Sequence, residues 1–394
     1  MHLTKEEEGL LRGEEGSELA EVFEAVVKVA EVLGATRLVK VSHAHISGIS
    51  YRNLGVEGVE FLEDLASRGL RFAVPTTINP AGFDLSLAWE MGVRPWEYEL
   101  QMRALRALSS MGAEMTLTCT PYLLRTPCFG EHLAWAESNA VLYANSVLGA
   151  RTNREGGPLS VLEALVGRAP YVGLHTEEGR RPTVVVDASR LRDLVDKEGH
   201  YAALGYLVGE LVRSGVPALR NPPRGLRAPE NLKLFLAALG ASSSVGLVLI
   251  EGVSPEYEAG EGLETLRPGE EELRGVAERW ALDDFDHAVL GCPHLSPEEL
   301  VSLAQALSGV SLKKEVLAFT SRWSAQRVPE AVESLRKRGV KVYYDTCMVV
   351  GNLSALGVRK CATDSAKAAY YLAAQGYEVA LMPRSALLRA VAGG

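Results

Sequence analysis

The sequence has few features that would take the protein out of the aqueous interior of a cell. Its first residues, MHLTKEEEGLLRGEE, are acidic and lack the apolar stretch of a signal peptide. No apolar run approaches the roughly 18 residues that cross a membrane. Cysteine is also scarce, with 5 among 394 residues, and this small odd number argues against a disulfide framework. These absences predict a cytoplasmic protein with reduced thiols.

Positive charge is in deficit as well. The chain has 41 Lys and Arg against 50 Asp and Glu, a net charge of -9. Phosphate backbones and anionic lipids select basic patches, so we expect neither nucleic acid nor a membrane as a partner. The spacings CxxC and HExxH are absent, which excludes the usual zinc motifs. A hydrophobic content of 47% is that of an ordinary globular protein.

Short apolar runs alternate with amphipathic segments along nearly the whole chain. This alternation predicts an α/β fold, in which parallel sheets are covered by helices. Thr4 with Glu7 and Ser296 with Glu299 match capping boxes and predict helix starts. The predicted strands are residues 37–42, 71–75, 114–118, 183–187, 245–251, 287–290, 315–320, 340–345 and 377–382.

Two stretches have the composition of domain boundaries. Residues 216–231 are rich in proline and arginine, and residues 254–272 are rich in glycine, proline and glutamate. We therefore predict an N-terminal α/β region over residues 1–255, a connecting segment over 256–280 and a C-terminal α/β domain over 281–394.

Three of the five cysteines directly follow predicted strands, namely Cys119, Cys292 and Cys347, whereas Cys128 and Cys361 do not. Ligands bind at the carboxyl edge of parallel sheets. Three thiolates there could hold three irons of a cubane cluster and leave the fourth iron open to substrate. Two alternatives stay open: the three can be buried core thiols, or Cys292 can be a nucleophile with the histidine two residues further on as its base.

Four polar loops, each after an apolar run, have the composition of an anion site. Backbone N–H groups in a glycine turn, side-chain amides and a lysine near a helix start all suit a phosphate or a carboxylate. The same residues also occur in ordinary turns and on solvated helix faces. The candidates for substrate binding are Gly48, Ile49, Ser50, Asn79, Pro80, Ser138, Asn139 and Lys367.

Five phrases occur together along the chain: LTCTPYL, GEHLAWAESNAVLYANSVLGARTNREGGP, GCPHLS, DTCMVV and DSAKAAYY. In combination they resemble the aconitase X family, a branch of the aconitase superfamily, over almost the whole length. The resemblance implies an aconitase-like fold of parallel sheets flanked by helices in two or three domains, without the small swivelling domain. It also implies that Cys119, Cys292 and Cys347 bind an iron–sulfur cluster, expected to be [4Fe–4S] with one open iron.

The same resemblance implies a hydro-lyase activity. The two-subunit kind within the family dehydrates mevalonate 5-phosphate, a small phosphorylated hydroxy acid, to trans-anhydromevalonate 5-phosphate on the route to isoprenoids. A small partner chain is then expected to complete the active site and to supply the general base, so the active form would be a heterodimer. The alternatives are a dehydratase of cis-3-hydroxy-L-proline and a non-catalytic iron–sulfur protein that binds RNA.

Overall fold

A computed structural model describes residues 1–393, which divide into two compact units. Unit 1 comprises Met1–Pro80 and Arg94–Arg181, and unit 2 comprises Ala81–Val93 and the residues from Pro182 onward. No helix within residues 1–393 combines the length and the apolar character needed to span a bilayer.

Unit 1 is built on a small parallel sheet. Strand β2 lies in its centre, with β3 on one side and β4 on the other, and Ala44 of β2 stands opposite Thr76 and Ala134. A separate antiparallel pair joins β1 to β5. The elements of unit 1 are α1 (Lys5–Leu11), α2 (Ser17–Val32), β1 (Leu38–Lys40), β2 (Ala44–Ile46), α3 (Tyr51–Ser67), β3 (Thr76–Ile78), α4 (Pro95–Ser110), β4 (Ala134–Trp135), α5 (Ser138–Tyr143), α6 (Gly157–Val166) and β5 (Arg168–Pro170).

Unit 2 contains two parallel sheets. Its elements are β6 (Val184–Asp187), α7 (Arg192–Glu198), α8 (Tyr201–Val212), β7 (Pro217–Arg220), α9 (Pro229–Ser242), β8 (Leu249–Ile250), β9 (Thr265–Leu266), α10 (Glu270–Glu278), β10 (His287–Leu295), α11 (Pro297–Ala306), β11 (Glu315–Thr320), α12 (Arg322–Arg327), α13 (Pro329–Lys337), β12 (Lys341–Tyr344), β13 (Lys360–Thr363), α14 (Ala366–Ala374), β14 (Glu378–Leu381) and α15 (Arg384–Ala392).

The larger sheet of unit 2 is doubly wound. Its order is β12-β11-β10-β13-β14, so the chain starts in the middle, moves outward in one direction and then returns to the other side of β10. Such a reversal opens a crevice beyond the carboxyl ends of the two central strands, here β10 and β13. The smaller sheet, β8-β7-β6-β9, has the same kind of reversal between β6 and β9.

Most strands predicted from long apolar runs are confirmed. Residues 183–187, 287–290, 315–320, 340–345 and 377–382 coincide with β6, β10, β11, β12 and β14, although β10 continues to Leu295. Both capping boxes are also present, because the side chains of Thr4 and Ser296 accept hydrogen bonds from the backbone N–H groups of Glu7 and Glu299.

Two predicted strands of unit 1 are wrong. Residues 71–75 are not a strand, because β3 begins only at Thr76. Residues 114–118 form a single parallel bridge, Thr77 with Glu114, and Leu117 then enters the left-handed region at a φ of 44°. Cys119 therefore follows an irregular segment. This segment still runs beside β3, since the N–H of Thr118 donates to the carbonyl of Ile78 at 3.0 Å.

Sequence reasoning missed seven of the strands within residues 1–393, namely β2, β3, β4, β5, β7, β9 and β13. Residues 360–363 form β13, next to the central strand β10, and Cys361 lies within it opposite His287 and Val379. Cys361 is fully buried, and burial raises the pKa of its thiol to about 12. It is a core residue of the sheet.

The two cysteines outside the proposed cluster set should differ sharply in reactivity. Cys128 is exposed, whereas Cys361 is buried and its thiol stays protonated at neutral pH, and only a thiolate attacks a disulfide reagent. We expect native protein to react with 5,5′-dithiobis(2-nitrobenzoate) first at Cys128, and Cys361 to react only after denaturation. Cys361→Ala is the control variant and should keep the fast phase of the reaction. A fast phase that persists in Cys128→Ser would contradict this assignment.

Candidate functional site

The carboxyl edge of the unit 1 sheet collects three of the predicted substrate loops. The chain leaves β2 into Gly48–Ser50, leaves β3 into Asn79 and Pro80, and leaves β4 into Ser138 and Asn139. Because the three strands are neighbours and parallel, their carboxyl ends meet at one edge. The topology of the sheet thus brings these three predicted loops to the same edge of unit 1.

A chain of hydrogen bonds crosses this edge. His45 Nδ1 lies 2.8 Å from Thr77 Oγ1, and His45 Nε2 lies 2.8 Å from Asn79 Oδ1. The amide nitrogen of Asn79 donates to one oxygen of Glu137 at 2.7 Å, and that of Asn139 donates to the other at 2.8 Å. The predicted residues Asn79 and Asn139 are thus brought together by a carboxylate.

The chemistry of the partners shows which atom carries the proton in each of these hydrogen bonds. A carboxylate only accepts, so Asn79 turns its nitrogen toward Glu137 and its oxygen toward His45. His45 must then carry its proton on Nε2, and its Nδ1 accepts from the hydroxyl of Thr77. Burial lowers the pKa of His45 to about 4, which keeps the ring neutral and this tautomer in place. Each amide has a second N–H that it can donate to a ligand oxygen.

The turn after β2 is held by its backbone and by a helix cap, and not by the side-chain hydrogen bonds described above. Gly48 adopts a φ of 75°, and Ser50 caps α3 by accepting the N–H of Arg52 at 3.4 Å. Ile49 is buried, and its carbonyl accepts from Gln101 Nε2 at 2.9 Å. The side chain of Ile49 therefore belongs to the core, while the backbone of the turn leads into a helix start, where anions are favoured.

The two cysteines of unit 2 lie in neighbouring turns. Cys292 lies in the part of β10 where the pairing with β11 is interrupted, between Leu290 and Leu295. It follows Gly291, which has a φ of 104° and approaches the carbonyl of Phe319 so closely that a Cβ would lie 2.1 Å from its oxygen. Only glycine fits there, so the backbone at Cys292 is held close to β11.

The second turn carries Cys347 after β12. His294 Nε2 donates to the carbonyl of Thr346 at 2.7 Å and so ties the two turns together. The backbone N–H of Val349 donates to Cys347 Sγ at 3.3 Å. His294 is fully buried, and this backbone hydrogen bond fixes the orientation of its ring.

A buried ion network supports the same edge. Lys233 Nζ donates to the carbonyl of His294 at 2.7 Å and contacts Glu299, while Arg384 bonds Glu299 at 3.0 Å and Asp364 at 2.5 Å. Burial by itself would raise the pKa of Glu299, but the two cations outweigh it and lower this pKa to about 2. The network joins the end of β10 to the segment after β13.

That segment carries the last predicted substrate residue. Ser365 caps α14 by accepting the N–H of Ala368 at 3.1 Å, and Lys367 lies in the first turn of this helix. Asp364 precedes the cap, and its Oδ1 is buried with no hydrogen-bond partner within residues 1–393. Lys233, Glu299 and Arg384 were missed by sequence reasoning as partners of the site, because charged residues on helices usually face solvent.

The thiols of these turns suit iron. Cys119, Cys292 and Cys347 are all buried, with 8%, 5% and 8% of their surface exposed. Sulfur is the usual protein ligand of iron–sulfur clusters, and N–H groups directed at such sulfurs tune the cluster. Cys119 belongs to unit 1 and the other two belong to unit 2. Within residues 1–393, no three His, Cys, Asp or Glu residues form a group that could hold a metal ion.

The neutral state of His45 predicts a pH dependence of stability. Its pKa is about 4 in the folded protein and near 6.5 without burial, so the unfolded chain binds more protons between these values. The free energy of unfolding should therefore fall as pH drops from 6.5 to 4. In His45→Gln we expect this slope, measured by urea unfolding, to be shallower by up to about 1.4 kcal/mol per pH unit. The exposed His2 provides the control: His2→Gln should keep the wild-type slope, and an unchanged slope in His45→Gln would refute the assignment.

Models of one family match nearly the whole chain. The aconitase X first, second and third domains match residues 1–178, 182–278 and 285–393. Among solved structures, the holo form of aconitase X from Thermococcus kodakaraensis superimposes with a TM-score of 0.90 at 38% sequence identity, covering 99% of this chain and 100% of that one.

Curated relatives are of two kinds. The phosphomevalonate dehydratase large subunit of Methanocaldococcus jannaschii is 38% identical over 94% of this chain and 95% of its own length. The protein of the same name from Thermococcus kodakarensis is 39% identical over 97% of both chains. The cis-3-hydroxy-L-proline dehydratase of Pseudomonas aeruginosa is 37% identical over 93% of this chain, but the match spans only 65% of that enzyme. The parallel sheets, the cysteine turns and these full-length matches agree: the chain belongs to the aconitase X family.

Proposed function

We propose that this chain is the large subunit of a phosphomevalonate dehydratase, which removes water from mevalonate 5-phosphate to give trans-anhydromevalonate 5-phosphate in a mevalonate pathway to isoprenoids. The observation that carries the proposal is the end-to-end match to archaeal proteins of that name, which covers 95% and 97% of their lengths. The hydroxyproline dehydratases extend well beyond the matched region. Dehydration of cis-3-hydroxy-L-proline is the second candidate.

Membership of an aconitase-like family implies an iron–sulfur cofactor. We propose a [4Fe–4S] cluster held by Cys119, Cys292 and Cys347, with the fourth iron open. When bound, such an iron supplies a Lewis acid for the departing hydroxyl group. The buried turns, the N–H that Val349 directs at Cys347 Sγ and the brace between the turns from His294 support the two ligands of unit 2.

The polar residues would bind and orient the substrate. Asn79 and Asn139 are held by Glu137 and have one N–H each for a substrate oxygen. The turn Gly48–Ser50 and the start of α3 suit an anionic group, as does Lys367 in the first turn of α14. Groups held in this way place the reacting carbon without reorganisation, and the phosphate contributes binding energy remote from the reaction.

The elimination also needs a base that takes a proton from the carbon next to the carboxylate. We propose that a small subunit supplies this base and completes the site, because the relatives named above are large subunits. The functional unit would then be a heterodimer. We place it in the cytoplasm, where cysteines that form no disulfide within residues 1–393 stay reduced.

Activity should require both chains and the phosphorylated substrate. We expect the purified large subunit alone to show little turnover, and the complex with its small subunit to dehydrate mevalonate 5-phosphate, measured by mass spectrometry of the anhydro product. Unphosphorylated mevalonate should be a poor substrate, because it lacks the anchoring group. Turnover of cis-3-hydroxy-L-proline in preference to mevalonate 5-phosphate would replace the proposal with the second candidate.

The cluster can be tested without an activity assay. Iron and acid-labile sulfide should be near stoichiometric in protein purified without oxygen, and each of Cys119→Ser, Cys292→Ser and Cys347→Ser should lose most of both, together with the visible absorption. Cys128→Ser and Cys361→Ala are the matched controls and should keep the wild-type content. Equal cluster content in all five variants would rule out the proposed ligand set.

A further inference from the structure

A cavity lies at the smaller sheet of unit 2. It has a volume of about 420 Å³. None of its lining residues was assigned to cluster or substrate above, although residues 216–231 had drawn attention for their proline and arginine content. The lining residues are Arg192, Asn221, Pro222, Arg224, Arg227 and Glu251.

The topology explains why these residues meet. Strands β6, β7 and β8 are adjacent and parallel. Arg192 follows β6, Asn221 to Arg227 follow β7, and Glu251 directly follows β8. The cavity is therefore at the carboxyl edge of a parallel sheet, where ligands bind in open α/β proteins.

Carboxylates fix the backbone that carries the arginines. The N–H of Asn221, a residue with a φ of 52°, donates to Glu251 at 2.7 Å, and its side chain donates to Asp187 at 3.0 Å. The N–H groups of Arg224 and Gly225 donate to Asp196 at 2.8 and 2.9 Å. These bonds span three loops and hold the segment after β7 in one conformation.

The guanidinium groups themselves lack strong partners. Within residues 1–393, neither Arg224 nor Arg227 forms an ion pair, and Arg192 only reaches the exposed Asp193 at 3.5 Å. Glu251 is the one carboxylate of the lining, and its charge is shared with the N–H of Asn221. The lining itself therefore contains three guanidinium groups and one carboxylate.

We propose that this cavity binds a phosphate group, either inorganic phosphate or the phosphate of a small metabolite. Three planar guanidinium groups line this cavity, one from the start of α7 and two from the segment after β7. Together they offer more donors than a carboxylate can accept, whereas a phosphate has three or more acceptor oxygens. The site does not require a cluster or a partner chain, so it can be tested apart from the proposed function.

The test is a titration of the full chain with inorganic phosphate, in which binding is measured by the broadening of the ³¹P NMR signal of phosphate. The ionic strength is kept at about 0.15 M, where exposed charge pairs are screened. We expect Arg224→Gln and Arg227→Gln each to raise the Kd about tenfold, the effect of one lost charge-assisted hydrogen bond, and the double variant to abolish binding. Arg359→Gln, an exposed arginine before β13, should bind as the wild type does.

Competition identifies the source of the phosphate. Displacement by mevalonate 5-phosphate but not by mevalonate would assign the cavity to the substrate, and displacement by neither would assign it to a different phosphate ligand; both support a phosphate site. Unchanged phosphate binding in the double variant, or no saturable binding by the wild type below about 10 mM, would overturn the proposal. Because the test uses the isolated chain, its failure leaves the dehydratase proposal untouched.

Discussion

The buried carboxylate of Glu299 is the group on which the cysteine-bearing edge of unit 2 depends. Lys233 connects it to the carbonyl of His294, and Arg384 connects it to Asp364. The end of β10 and the segment after β13 are thereby fixed to one charge. Removing one partner of such a buried pair leaves an uncompensated charge and costs about 3–5 kcal/mol. The turns at this edge therefore cannot move independently of the core of the unit.

Unit 1 uses the same principle with different groups. Glu137 accepts the amides of Asn79 and Asn139, and His45 completes the chain as a neutral ring. A carboxylate again sets the direction of every donor around it. The resulting edge presents amide N–H groups whose orientation is decided before any ligand arrives, which is how a binding site avoids the entropic cost of ordering.

The three parallel sheets present different functional groups, although each presents them at the carboxyl edge of its strands. Carboxyl edges of parallel strands present amides in unit 1, thiols at the larger sheet of unit 2 and guanidinium groups at the smaller one. Amides and thiols fit the hydro-lyase chemistry that membership of the aconitase X family implies. The arginine cavity is not required by that chemistry, and this is why it points to a separate binding event or to a distinct part of a phosphorylated ligand.

The sequence by itself determined the features that depend on local patterns. Apolar runs identified β6, β11, β12 and β14, the capping residues identified two helix starts, and the combined motifs identified the family. Tertiary structure alone decided the rest. The strand β13 has no long apolar run and exists because it pairs with β10 and β14, while Leu117 interrupts the strand predicted before Cys119. The bonds of Glu137 and the meeting of Arg192 with Arg227 join residues from separate loops, and a linear pattern contains no trace of a hydrogen bond between distant segments.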